Sequence, residues 1–166
     1  MDEDHNVGVT SVSFVAEPLG PSPDGGTWVG LARDDSFIET FGQILTGLIA
    51  GDQYEVSWYQ GNFGANSSLG YDGDNAIELL INSASVGSGA VIPTGRTWSG
   101  DSVTFVAPSD TVRLDFRLAN PDKSYLSIDG ISITEVNGII PEPLTLLAAA
   151  MGIGCMAGYV RRRRQA

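Results

Sequence analysis

The segment that most constrains this chain runs from Thr111 to Leu118. Val112, Leu114, Phe116 and Leu118 alternate there with Thr111, Arg113, Asp115 and Arg117. Successive side chains on a strand point to opposite faces, whereas neighbours on a helix recur every three or four residues. Strict alternation over eight residues therefore makes this a half-buried strand, which needs a second apolar layer over its inner face. Phe116 falls on the buried side. Arg113 falls on the solvent side, where its removal is expected to cost under about 1 kcal/mol.

Other segments repeat the pattern. Tyr54, Val56 and Trp58 alternate with Glu55, Ser57 and Tyr59; Ile77, Leu79 and Ile81 alternate with Glu78, Leu80 and Asn82; Val103 and Phe105 begin a further run. Residues 9–15, 27–32, 37–45 and 125–134 are strand candidates by composition. Gly42 and Gly47 weigh against a helix over 37–48. Turn signals such as Pro23-Asp24-Gly25-Gly26, Asp72-Gly73-Asp74, Gly87-Ser88-Gly89 and Asn120-Pro121-Asp122 divide the runs. Eight or so short strands without helices imply an all-β antiparallel sandwich. One strand changes phase: Leu126 and Ile128 share one parity, Ile131 and Ile133 the other. A β-bulge at Asp129-Gly130 lets both pairs face the core. Trp58 and Trp98 are expected in that core, while the position of Trp28 is left open.

Charge divides the chain. Residues 1–140 hold 19 acids and 5 bases, whereas residues 141–166 hold Glu142 and four arginines. Such asymmetry marks an appendage with its own partner. The acidic body repels phosphate backbones, which excludes nucleic acid as a partner. The opening Met1-Asp2-Glu3-Asp4-His5 has neither the basic nor the apolar region of a signal peptide. The tail described next makes sense on an exported protein, so the expectation is that the start is displaced or that a leader and first strand are missing.

From residue 138 the text reads Gly-Ile-Ile-Pro-Glu-Pro, then 17 uncharged residues from Leu144 to Val160, then Arg161, Arg162, Arg163 and Arg164. As a helix, the apolar stretch spans about 25 Å, enough for a thin hydrocarbon layer. The arginines stop transfer and stay cytoplasmic. The sole cysteine, Cys155, lies within this stretch; it reads as a small apolar filler or a lipidation candidate. The division is thus a β-sandwich over 1–137 and a tail over 138–166 with a single transmembrane helix.

The tail resembles the PEP-CTERM sorting signal of Gram-negative bacteria, with its motif at Pro141, Glu142 and Pro143, its membrane helix at 144–160 and its basic end at 161–164. The commonest form of the motif begins with Val, where this chain has Ile140. The resemblance implies export across the inner membrane and transient anchoring there. An exosortase then cuts near the motif and passes the protein to the cell surface, outer membrane or an extracellular polysaccharide matrix.

The body carries a second resemblance. Gln43, Leu45, Gly47, Leu48, Gly51, Tyr54, Val56 and Trp58 are spaced as in a segment of jelly-roll domains of the galactose-binding-like and carbohydrate-binding-module type. Trp98, Val103–Ala107, Leu114-Asp-Phe116 and Tyr125-Leu-Ser-Ile-Asp-Gly-Ile-Ser-Ile133 resemble their later strands. The resemblance implies a jelly roll and a glycan or exopolysaccharide as ligand. It also implies a structural calcium on Asp129, whose usual partners come from the N-terminal region.

Glycan sites need flat aromatics for sugar rings and polar groups for hydroxyls. Tyr59, Asn62, Phe63, Asn66, Tyr71 and Asp72 lie on or after the Tyr54–Trp58 strand, and Arg113, Asp115 and Arg117 line another outward face. Their convergence would make a shallow sugar site. The competing expectation is a solvated face on a passive matrix or coat protein. Asp72-Gly73-Asp74-Asn75 has the carboxylate density that calcium favours, but not the spacing of an EF-hand. His5 is the only histidine, so the usual base for a Ser or Cys nucleophile is missing. Carboxylate pairs for glycoside cleavage exist only by abundance. The expectation is a non-enzyme.

Overall fold

A computed structural model describes residues 21–25, 28–64, 70–95 and 97–136. Eight strands follow in order: β1 (Val29–Arg33), β2 (Thr40–Thr46), β3 (Gln53–Gly61), β4 (Ile77–Ile81), β5 (Ala84–Ser88), β6 (Ser99–Val106), β7 (Thr111–Leu118) and β8 (Ser124–Glu135). No helix occurs among the described residues. The strands form two four-stranded sheets, ordered β1-β8-β3-β6 and β2-β7-β4-β5, and every pairing is antiparallel. Two four-stranded sheets connected in this interleaved order make an eight-stranded jelly roll.

The alternation read from the sequence decides what lies between the sheets. β3 contributes Tyr54, Val56 and Trp58, β4 Ile77, Leu79 and Ile81, and β7 Val112, Leu114, Phe116 and Leu118, all in one core cluster. Phe116 makes an edge contact with Trp58 at 5.8 Å and stacks on Phe41 at 6.0 Å. Inner faces of two antiparallel sheets meet in this way whenever each strand keeps one apolar parity.

Two local features differ from expectation. Gly87-Ser88-Gly89 reads as a turn signal, yet Ala84–Ser88 form strand β5, an edge strand whose side chains are mostly exposed. Asn82 and Ser83 both have positive φ, 51° and 68°, which is the two-residue hairpin turn whose twist suits paired strands. The phase change in β8 is real, but the bulge falls at Gly130-Ile131, one place later than expected. Ser57 pairs with Ser132 and Tyr59 with Asp129, so two steps on β3 oppose three on β8. Gly130, at φ 58°, takes the left-handed conformation that such a bulge requires.

The strand expected at 9–15 and the whole tail, with its Pro-Glu-Pro motif, apolar stretch, Cys155 and arginines, lie outside the described residues.

Candidate functional site

The outer face of the β1-β8-β3-β6 sheet carries a cleft of about 350 Å³, centred on Tyr59. The parity of β3 turns Ser57 and Tyr59 outward, opposite to Trp58. Tyr59 pairs with Gly100 on β6 and Asp129 on β8. A Cβ at Gly130 would lie 2.7 Å from Tyr59 Cδ2, and one at Gly100 would lie 3.7 Å from Cε1. The ring therefore has one edge against each glycine. The bulge thus decides more than the phase of β8, since it places a residue without a side chain beside this ring.

Polar residues share the cleft with the ring. Asp24, Asp101, Ser57 and Ser132 line the same cleft. Asp24 folds over the bulge, its Cβ 3.0 Å from where a Gly130 Cβ would stand. Asp101 is tied to the interior: Trp58 Nε1 donates to Gln60 Oε1 at 3.2 Å, and Gln60 Nε2 donates to Asp101 Oδ2 at 3.0 Å. Backbone amides of Ala90 and Ser102 donate to the same carboxylate at 2.6 and 2.8 Å. Among the described residues only neutral donors hold it, and its carboxylate stands on the Trp58 and Gln60 side of the sheet, opposite to the Tyr59 ring. Next to Tyr59 on the same outer face, Asp129 Oδ2 is buried without a hydrogen-bond partner, as is Ser127 Oγ.

Further along this face an aromatic layer covers a row of small residues. Ser127 pairs with Gly30 on one side and Gly61 on the other. The Tyr125 ring lies over Gly30 and the Phe63 ring over Gly61, each occupying the space of a Cβ. Trp98 meets Phe63 edge-on at 4.9 Å, and Trp28 meets Trp98 at 5.7 Å. Burial, with the charge of Glu39, pushes the Tyr125 phenol well above its ordinary range. Trp58 is in the core between the sheets as expected, whereas Trp98 and Trp28 belong to this outer layer.

The structure does not bring the seven expected ligand residues together. Phe63 is 2% exposed and packs in the aromatic layer, so it offers no face to a ligand. Asn62 is equally buried, and its Nδ2 donates to the carbonyls of Gly73 at 3.0 Å and Ile92 at 3.1 Å; it staples two loops. Asn66 lies outside the described residues. Tyr71 sits near the start of β8, where its hydroxyl donates to Asp34 Oδ2 at 3.0 Å and Lys123 Nζ lies 4.3 Å from its ring centre. Burial, and then the Asp34 hydrogen bond, raise its phenol above the ordinary value. Asp34 also borders a second opening of about 500 Å³ with Arg33, Ser36 and Phe37. Arg113, Asp115 and Arg117 are on β7, in the other sheet. Arg113 Nε donates to Asp115 Oδ2 at 2.9 Å, and Arg117 pairs with Glu78 at 2.6 Å. Of the seven, Tyr59 alone belongs to the cleft.

The calcium expectation rests on Asp129 alone. Among the described residues no three His, Cys, Asp or Glu side chains approach closely enough to hold a metal ion. The Asp72–Asn75 turn has a structural role. Asn75 is fully buried: its Nδ2 donates to Ser124 Oγ at 2.6 Å and to the Asn120 carbonyl at 3.1 Å. Its Oδ1 accepts from the amides of Ala76 and Asn120 at 2.9 and 2.8 Å. Sequence reasoning missed Asp24 and Asp101. Asp24 read as part of a turn, and nothing local shows that the turn folds over Gly130. Asp101 had a signal, since its parity on β6 pairs it with inward Trp58, an unusual place for a carboxylate.

No family model and no curated protein matches the chain. Among solved structures, the chain is similar to a sugar-binding protein described as the EclA C-terminal domain, at 16% identity and TM-score 0.48, covering 68% of this chain and 87% of that one. It is also similar to a family 35 carbohydrate binding module from an environmental isolate, at 13% identity and TM-score 0.45, covering 76% and 90%. A third similar structure is the enzymatically active domain of tailspike protein 4 of bacteriophage CBA120, at 15% identity and TM-score 0.42, covering 66% of this chain and 15% of that one. The jelly-roll assignment rests on strand order and register, and the site on its own geometry.

Proposed function

We propose that this chain is an exported, non-catalytic glycan-binding module whose tail is a PEP-CTERM sorting signal. The observation that carries the binding function is the Tyr59 ring, set between Gly100 and Gly130 in a shallow cleft that Asp24, Ser57 and Ser132 also line. The apolar face of a sugar ring stacks on an aromatic ring, and its hydroxyls need acceptors and donors around the rim. One platform and a shallow wall suit an extracellular polysaccharide held at about micromolar to millimolar affinity. The tail supports the setting: Pro141-Glu142-Pro143, the apolar stretch to Val160 and the four arginines have the order by which an exosortase releases its substrates from the inner membrane.

The test is depletion of the full chain, in non-ionic micelles, by a panel of insoluble neutral, cationic and acidic polysaccharides. Wild-type chain is retained by at least one polymer and Tyr59→Ala is not. Equal behaviour of the two proteins on every polymer overturns the proposal.

A further inference from the structure

We propose that Tyr59 is the first of about three sugar positions along β3, and that the site takes a neutral, linear glycan laid parallel to that strand. This inference rests on the glycan-binding reading above and adds the direction, length and charge class of the ligand. The register carries it. Alternate residues of β3 face outward, and each has an outward partner on either side, which sets them in rows across the sheet. Tyr59 lies between Gly100 and the bulge at Gly130, Ser57 between Ser102 and Ser132, and Glu55 between Thr104 and Thr134. Rows two residues apart stand about 7 Å from one another, and the three strands span about 10 Å. The cleft at Tyr59 already includes Ser57 and Ser132 of the second row, and Ser102, Thr104, Ser132 and Thr134 are exposed.

Two observations set the direction. Tyr59 turns one ring edge to Gly130 and the other to Gly100, so its faces look outward and along β3 rather than across the sheet. On the far side of Tyr59 the face is closed, because the Phe63 ring occupies the space over Gly61 and Ser127 is buried. A chain stacked on Tyr59 therefore continues over Ser57 and Glu55. Short side chains keep that floor low beside the ring, and a pyranose with its linkage is comparable in length to the spacing of the rows. The chemistry sets the class. Apart from the two glycines and Glu55, every residue of the three rows carries a hydroxyl, and Glu55 alone carries a charge. Asp101 turns to the other side of the sheet, and Asp24 borders the face beside Gly130. Hydroxyls both donate and accept, which suits the hydroxyls of a neutral sugar, whereas no cation stands in the rows to receive a carboxylate. The opposite sheet differs, since its outward Arg113, Asp115, Arg117 and Glu78 are taken up in ion pairs.

The experiment titrates the full chain in non-ionic micelles, at physiological ionic strength, with the soluble oligomers of cellulose, mannan and xylan from monomer to hexamer. Galacturonic acid oligomers of the same lengths are the charged comparison. Binding is counted only where Tyr59→Ala removes it, which excludes attraction to the arginines of the tail. In a series that binds, affinity climbs about threefold to tenfold with each unit up to the trimer, as one net hydrogen bond per unit gives, and levels off beyond it. The galacturonic acid series binds more weakly. Ser57→Leu, which blocks the second row, brings the trimer down to the affinity of the monomer, and Thr104→Leu, which narrows the third, brings it down to that of the dimer. Thr46→Leu, at an exposed position of the opposite sheet, changes neither, and circular dichroism checks that each variant is folded. Tyr59-dependent binding that is equal for monomer and hexamer, or a trimer affinity that Ser57→Leu and Thr104→Leu both leave unchanged, overturns the inference and leaves glycan binding standing. A Tyr59-dependent preference for galacturonic acid overturns the neutral class in the same way. No Tyr59-dependent binding of any oligomer overturns the inference, and the glycan-binding reading falls with it where the polymers too retain wild type and Tyr59→Ala equally.

Discussion

Replacing Phe116 by Ala probes the sandwich at its centre. The ring is 1% exposed, and it touches Trp58 edge-on and Phe41 face-on. Truncating a buried Phe costs about 3–5 kcal/mol through lost transfer energy and the cavity left behind. The two ring contacts, each worth about 0.5–1.5 kcal/mol beyond area, place this site near the upper end. Domains of this size are stable by about 5–15 kcal/mol, so Phe116→Leu, at about 1–2 kcal/mol, is the companion variant that stays folded. Arg113→Ala on the same strand is the control for strand phase. The structure raises its expected cost above the sequence estimate, because Asp115 is buried, with 7% of its side chain exposed. Arg113 Nη2 approaches Asp115 Oδ1 at 2.9 Å as an ion pair, without hydrogen-bond alignment, beside the Nε bond to Oδ2. Removing the guanidinium leaves that carboxylate unpaired, at about 1–2 kcal/mol. Urea unfolding of residues 1–136, followed by Trp fluorescence, should rank Phe116→Ala well below Phe116→Leu and Arg113→Ala. A Phe116→Ala loss under about 2 kcal/mol would refute the packing argument.

Asn75→Ala should cost about 2–3 kcal/mol in the same melts, since it strands the Ser124 hydroxyl and the Asn120 amide that Asn75 satisfies; a loss below about 1 kcal/mol contradicts its role as a hub. Gly130→Ala forces a left-handed backbone and pushes against Tyr59 and Asp24. It should destabilise by about 1–2 kcal/mol and abolish polysaccharide retention, and unchanged retention contradicts the placement of the ring. Burial alone would raise the Glu78 carboxyl, but hydrogen bonds from Arg117 and Ser85 and the charges of Arg117 and Arg33 outweigh it and lower the carboxyl below its ordinary 4.5. A depressed folded-state value gives stability that is present above the ordinary value and lost as pH falls through the folded one. Glu78→Gln should therefore flatten the melting temperature between about pH 5 and 3, and an unchanged acid slope contradicts the pairing. Intact mass of the protein from cells with and without an exosortase should show loss of the tail only in the former; a C-terminus ending at Ala166 in both contradicts the sorting signal.

What the sequence determined was the core and the chain's architecture class. Thr111–Leu118, the segment from Tyr54 and the segment from Ile77 carry their burial in period-2 alternation, because a strand that buries one face has no other way to be written. The phase change between Ile128 and Ile131 likewise announced a bulge from parity alone. Ala84–Ser88 stayed illegible because an exposed edge strand buries nothing and so imposes no pattern; its backbone pairing with β4 makes it a strand. The site was decided by tertiary structure. Phe63 and Tyr59 are both aromatics close to Gly61, yet one covers that glycine in a packed layer and the other stands in a cleft. Arg113 and Arg117 face outward like Tyr59, but from the opposite sheet. Asp24 reaches Gly130 only because the turn before β1 folds over the bulge in β8. Periodicity records which side of a strand is buried, whereas which outward residues meet depends on how distant strands pair, and pairing is set by contacts that no local window contains.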